Sequence, residues 1–213
     1  MPKNLLIFAA HGDDEIVGMG GALLKYLDEG SQIIEVIFTQ GSMSHPHFKE
    51  EVIVGIRKKE MQKIADKIGI KEVIYFDLKD LQLQEQIKKP QVKARIKGVI
   101  EKYKPEKIFT LASSETHPDH RAVNEIVLKA VDSLKQKYPV YTFHIWTTPS
   151  LENHPIIYVD ISKYFWKKIR LMKQHRSQWL MMYYQQILPV IFRARFYGIK
   201  NNCRYAEKFE KVR

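Results

Sequence analysis

The sequence predicts an α/β protein: a Rossmann-like, doubly wound domain with a mostly parallel sheet, helices on both faces and a C-terminal extension. Three observations predict it. Apolar runs of strand length alternate with stretches of helical spacing across residues 1–160. Those runs are continuous, as expected of strands covered on both faces. The chain has 213 residues, 45% of them apolar, which is enough for one full core and excludes global disorder.

The elements follow in order. Asn4–Ala10 is a strand, Ile16–Leu27 carries helical spacing, and Gln32–Thr39 is a second strand ending at Gln40-Gly41-Ser42. Lys49–Ile68 reads as a helix with Met61, Ile64, Ala65 and Ile68 on one stripe. Glu72–Phe76 is a third strand, Gln91–Lys102 a helix and Lys107–Ala112 a fourth strand. A helix from Pro118 to Lys137 follows, then strands at Tyr141–Thr147 and Ile156–Ile161 and a helix at Ser162–Gln174. Residues 1–160 are expected to form the core, and 161–213 a basic, aromatic segment packing on the same domain.

A single cysteine, Cys203, excludes an intramolecular disulfide framework and a cysteine-rich zinc knuckle. No apolar run reaches 18 residues, so no transmembrane helix is expected. Leu5–Ala10 is too short for a signal h-region, which points to a soluble, cytoplasmic protein. The net charge of +11 is unevenly spread: residues 1–160 hold 22 basic and 22 acidic side chains, and 161–213 hold 13 and 2. A localised excess implies an anionic neighbour: nucleic acid, a lipid surface, a substrate or another subunit.

In a doubly wound sheet the ligand sits beyond the strand C-termini where the strand order reverses, between the first and fourth strands. The first strand ends at His11-Gly12-Asp13-Asp14-Glu15, and the fourth ends just before Thr116-His117-Pro118-Asp119-His120. The topology thus brings the two densest clusters of ligating residues to one crevice. Histidines and carboxylates without cysteine suit a divalent metal of zinc type. His11, Asp14 and His120 supply three ligands and leave a position open for water. Asp13, pointing away from its neighbour, acts as general base, and His117 faces the substrate with Asp119 orienting its ring. His120 shares the apolar stripe of Val123, Val127, Ala130 and Leu134, so it points toward the sheet, where a core histidine would also lie. Thr116-x-x-Asp119 equally fits a capping box, and Asp13-Asp14-Glu15 equally suits a helix N-terminus.

Ala10-His11-Gly12-Asp13-Asp14-Glu15 closely resembles the Ala-His-Pro-Asp-Asp-Glu signature of the PIG-L/LmbE-like deacetylases, and His117-Pro118-Asp119-His120 matches that family's second motif. Arg57-x-x-Glu60, Asp80, and Val159-Asp160-Ile161-Ser162 leading to His175-Arg176-Ser177-Gln178 extend the similarity over most of the chain. The resemblance implies a Rossmann-like fold and zinc-dependent removal of an acetyl group from an N-acetylglucosaminyl compound. It implies His11, Asp14 and His120 as zinc ligands and Asp13 as base. His117 would stabilise the oxyanion and pass a proton to the leaving amine. It also implies substrate contacts at Arg57 and Asp80. Gly12 replaces the usual proline and Ser42 stands where several relatives carry glutamate, which puts sugar contacts there in doubt.

Other features have plainer accounts. Gly18-x-Gly20-Gly21 lacks the third glycine of a dinucleotide fingerprint, because Leu23 stands there, and reads as close helix–strand packing. His45 and His47 read as surface residues. Arg57 falls on the inward stripe of its helix, where a structural pair with Glu60 competes with substrate binding. Residues 179–199 mix aromatic, aliphatic and basic side chains, with Pro189 and Gly198 expected to interrupt any long helix. They are candidates for core packing, a homo-oligomer interface, or peripheral membrane contact near a lipid-linked substrate. Competing functions are an amidase on another acylated amine, a metal-binding scaffold without turnover, and a nucleic-acid-binding protein. The neutral core and the lack of a helix-turn-helix or RNP pattern speak against the last.

Overall fold

The computed structural model describes residues 3–42, 49–146, 153–178 and 182–213. Seven strands form one sheet in the order β3-β2-β1-β4-β5-β7-β6. They are β1 (Asn4–Ala9), β2 (Gln32–Thr39), β3 (Glu72–Leu78), β4 (Lys107–Leu111), β5 (Val140–Phe143), β6 (Ile156–Asp160) and β7 (Ala206–Lys211). The first five run parallel, and β7 lies antiparallel to both β5 and β6. The order reverses between β1 and β4, which places the crevice where the strand pattern predicted it. Every residue from Leu5 to Ala9 is buried, as are Ile33 to Thr39, because helices cover both faces of these strands.

The helices are α1 (Asp14–Asp28), α2 (Glu50–Ile68), α3 (Leu83–Gln86), α4 (Pro90–Tyr103), α5 (Pro118–Asp132), α6 (Phe165–Met172) and α7 (Leu188–Lys200). A 3-10 turn at Arg176–Gln178 and a π-helical turn at Met182–Ile187 lead into α7. Gly69 ends α2 at φ +89, a left-handed position that glycine adopts without a Cβ penalty. The glycines of α1 pack as expected: a Cβ on Gly18 would stand 2.3 Å from the Phe143 ring of β5, and one on Gly21 2.6 Å from Ile161.

Three expectations are corrected. The helix after His117 stops at Asp132, short of Lys137, where the chain turns at Ser133. Pro189 does not interrupt a helix but sits in the first turn of α7, where its missing N–H costs nothing. Gly198 lies inside α7, and a Cβ there would meet the Cys203 and Arg204 carbonyl oxygens at 2.7 Å. β7 has no counterpart in the sequence reading, yet it fills the sheet between β5 and β6. It is also stitched to α1, whose backbone breaks at Met19 (φ −139) and frees the Gly21 and Ala22 N–H groups. These donate to the Glu207 carboxylate at 3.0 and 2.7 Å, while buried Lys168 of α6 pairs with the same group at 2.6 Å. His45 and His47, with residues 147–152 and 179–181, lie outside the described residues.

Candidate active site

The crevice beyond β1 and β4 holds a cavity of about 240 Å3 lined by His11, Asp13, Asp14, Arg57, Asp80, His117 and His120. Seven of the eight candidate site residues therefore meet there; Asp119 does not line the cavity and is fully buried. Ile145 and Trp146 give the cavity an apolar side, and Gln178 and Gln186 a polar rim from the C-terminal segment.

Asp14 opens α1 and turns inward. Its Oδ2 accepts the Ala10 and His11 N–H groups at 3.0 and 2.9 Å, and its Oδ1 lies 3.3 Å from His120 Nε2. His11 Nδ1 is 3.6 Å from Asp14 Oδ2. Burial alone would raise the Asp14 pKa, but His120 and His11 outweigh it and hold the carboxyl well below its usual range. His120, on α5, sits between two carboxylates, because Glu115 Oε2 lies 2.9 Å from its Nδ1. Burial would lower its pKa, yet Asp14 and Glu115 lift it to about 10. The ring therefore carries both protons and donates Nε2–H to Asp14; an ion between the two would replace that proton, and Glu115, accepting the Nδ1–H, would leave Nε2 as the ligating nitrogen.

Two overlapping sets of side chains bring ligand atoms within 4.8 Å of one another: His11, Asp14 and His120, and His11, His117 and Asp119. Hydrogen bonding separates them. The Asp119 N–H can only donate, so His117 Nδ1, 3.2 Å away, is the acceptor, and the neutral ring carries its proton on Nε2. Neither ring nitrogen then offers a lone pair. Burial, with His11 and His120 nearby, pushes the His117 pKa down to about 4, so the ring is neutral at ordinary pH. Asp119 accepts the Leu81 and Leu83 N–H groups at 2.7 and 3.3 Å, much as Asp14 accepts two of its own, so it is the His117 ring that sets the second group aside. The donor chemistry thus fits a zinc-type ion at His11, Asp14 and His120.

Asp13 is the N-cap residue of α1 and points the other way from Asp14, its Oδ1 3.3 Å from Arg57 Nη2. Arg57 does not pair with Glu60. Glu60 instead accepts the Ser177 N–H at 3.0 Å and its hydroxyl at 2.6 Å, which docks the 3-10 turn and brings Gln178 to the rim. Gly41, at φ +71, lies so close to Arg57 that a Cβ would stand 2.7 Å from its Nε, and its N–H donates to Asp80 Oδ1 at 3.0 Å. Two expectations for the second motif change. The N-cap of α5 is His117 rather than Thr116, so no capping box forms. Asp119 meets His117 through its backbone N–H, while its carboxylate holds the β3–α3 loop and lies 3.8 Å from His11 Nε2.

The family model for PIG-L, described as GlcNAc-PI de-N-acetylase, matches residues 6–131, more than half of the chain. The chain belongs to the PIG-L family. It is 28% identical over 188 residues to a probable N-acetyl-alpha-D-glucosaminyl L-malate deacetylase 2 of Bacillus cereus, covering 84% of each chain. It is 25% identical over 226 residues to the diacetylchitobiose deacetylase of Thermococcus kodakarensis, covering 96% of this chain and 81% of that one. Among solved structures, N,N'-diacetylchitobiose deacetylase from Pyrococcus horikoshii superposes with a TM-score of 0.85 at 23% identity, covering 99% of this chain and 84% of that one. GalB from Pseudomonas putida, a 4-carboxy-2-hydroxymuconate hydratase, shares the fold at a TM-score of 0.77 and 18% identity over 99% and 96% of the two chains. The PIG-L fold therefore houses more than one chemistry, and function rests on the site. Glu115 was not foreseen at this PIG-L site. Its one sequence signal is a carboxylate two residues before His117 at the end of a buried strand.

Proposed function

We propose that the protein is a zinc-dependent hydrolase that removes the acetyl group from an N-acetylglucosamine-containing substrate. The observation that carries this reading is the division of labour in the crevice. His11, Asp14 and His120 bring one ligand atom each within 4.8 Å of one another, while Asp13, beside Arg57, and the His117 ring, whose Nδ1 accepts the Asp119 N–H, are left for the substrate and the water. His11, Asp14 and His120 would hold the zinc ion, which would supply Lewis acidity toward a water and the acetyl carbonyl.

The remaining work falls to the protein. Asp13, its carboxylate oriented by Arg57, accepts the proton of the attacking water. His117 donates its Nε2–H to the carbonyl oxygen as negative charge develops there. A neutral imidazole holds an oxyanion but gives up its proton reluctantly, so the proton gathered by Asp13 is the one that reaches the leaving amine. The family resemblance also gives His117 the proton that reaches the leaving amine, and His117→Gln separates the two roles. The products are acetate and a free amine. Arg57 and Asp80, which line the same cavity, contact the sugar hydroxyls.

The test is primary-amine release from free N-acetylglucosamine, its dimer, a glycoside and a lipid-linked form by zinc-loaded protein, with Asp13→Asn as control. Release by the wild type alone supports the reading and ranks the substrates. Silence across the panel with zinc bound shifts the reading to another acylated amine.

The C-terminal segment carries one specific feature. Leu188, Phe192, Phe196 and Ile199 of α7 are 57, 72, 54 and 61% exposed and lie along one side, with only Arg195 and Lys200 as charged neighbours on the exposed face. This stripe supports a contact with an anionic lipid surface or with a second copy of the chain. Cosedimentation with anionic vesicles and gel filtration separate the two. No helix among the described residues is long and apolar enough to cross a membrane.

A further inference from the structure

The hydrogen bonds behind His120 continue well past Glu115. Glu115 Oε1 accepts the Ile145 and Trp146 N–H groups at 2.8 and 3.2 Å, just beyond the end of β5. The carbonyl oxygen of Ile145 in turn accepts from Arg193 Nη1 at 2.8 Å. Arg193 belongs to α7, whose Val190, Ala194 and Gly198 are buried. A chain of groups therefore runs from the C-terminal helix through Ile145 and Glu115 to His120 and on to Asp14.

We infer that Arg193 is a positioning residue for the metal site. By holding the carbonyl of the Ile145–Trp146 peptide it orients the Trp146 N–H of that peptide, and the adjacent Ile145 N–H, toward Glu115, and Glu115 then holds the His120 ring with Nδ1 protonated and Nε2 facing the site. The arrangement suits this task for a physical reason. A carboxylate that bonds an imidazole must be held in place itself, and outer groups of this kind set ligand orientation. The same contact places Ile145 and Trp146 on the cavity wall, so the C-terminal segment shapes both the metal site and the substrate face. The inference rests on the metal reading above.

The experiment uses the full chain loaded with cobalt(II), reading affinity by chelator competition and ligand geometry by the visible d–d spectrum. Glu115→Gln is expected to weaken binding by roughly 10–100-fold. Arg193→Gln is expected to weaken it by roughly tenfold, at the lower end of that range, and to shift the spectrum. Arg193→Lys, whose ammonium keeps the charge, a donor and the reach that the shorter Gln amide lacks, stays within about threefold of the wild type, a small fraction of the same loss. In the Glu115→Gln background Arg193→Gln adds little, because both act along one chain. Losses that simply add, or an Arg193→Gln protein of reduced melting temperature with unchanged affinity and spectrum, overturn the inference alone. A wild type that takes up no cobalt overturns the metal reading and this inference with it.

Discussion

Glu115 lies 2.9 Å from the Nδ1 of His120 and is itself fully enclosed, its other carboxylate oxygen accepting the Ile145 and Trp146 N–H groups. The pair resembles the carboxylate–histidine–metal arrangement in which the outer carboxylate sets both ring orientation and basicity. Converting Glu115 to Ala leaves the imidazole N–H buried without an acceptor, a loss of about 1–3 kcal/mol from the unmet group alone. The expected outcome is protein that folds with a lower melting temperature and retains little zinc after dialysis. Metal content by mass spectrometry, read beside the thermal melt, checks it.

Asp13 and His117 are expected to separate by substitution chemistry. Asp13→Asn keeps the shape and removes the base, and the rate falls by roughly 10²–10⁴-fold while bound zinc is unchanged. His117→Ala removes an oxyanion donor, for a loss of roughly 10²–10³-fold in kcat. His117→Gln retains an N–H donor and recovers part of that loss if donation is the role. Equal damage from Ala and Gln would return His117 to the part of a proton donor. Steady-state kinetics on the best substrate of the panel decide it.

How much of this was legible follows from where the partners of each residue lie. His11 to Glu15 and His117 to His120 are contiguous segments, so their clustering at two strand ends is visible without a structure, and the alternation of elements places those ends together. β7 was not legible. Ala206-Glu207-Lys208-Phe209-Glu210-Lys211 alternates in character but reads as a charged surface strand, and only Lys168 and the freed N–H groups of α1 explain how Glu207 is buried. Glu115 was missed for the same reason. Its partners at Ile145 and Trp146 come from a different strand end, and nothing near Glu115 in sequence announces them. The two motifs named candidate groups that line one cavity, whereas the tautomer of His117 needed the Asp119 N–H.

The Lys168–Glu207 pair gives a stability prediction. Both side chains are buried, and Glu207 also takes the two N–H groups released where α1 breaks. Glu207→Gln leaves the Lys168 ammonium without its counter-charge, for an expected loss of about 3–5 kcal/mol. Adding Lys168→Met to that variant is expected to recover part of the loss, because the stranded charge is then gone. Urea unfolding of both variants checks it, and equal stability of the single and double variants would show that the charge is not what matters.

A second buried pair gives a prediction in pH. Glu15 on α1 and Glu35 on β2 are completely enclosed, and no cation stands against either carboxyl among the described residues. Burial, with the Asp14 charge adding to it, lifts Glu35 to about 8; burial and the repulsion of Glu35 hold Glu15 well above the carboxylate range. The folded state therefore binds more protons than the unfolded chain, whose glutamates titrate near 4.3. With that sign the slope of stability against pH is negative. Nothing is lost below the unfolded pKa, where both states are protonated. Stability then declines as pH rises from about 4.5 toward about 8, and levels off once the folded pair has ionised. Glu35→Gln keeps a neutral group of the same size in the same place, so it is expected to flatten this decline and to raise the melting temperature at pH 8 while changing little at pH 5. Melting curves of wild type and variant across that range test it. A wild type whose stability rises from pH 5 to pH 8 would mean that the two carboxyls are ionised in the fold.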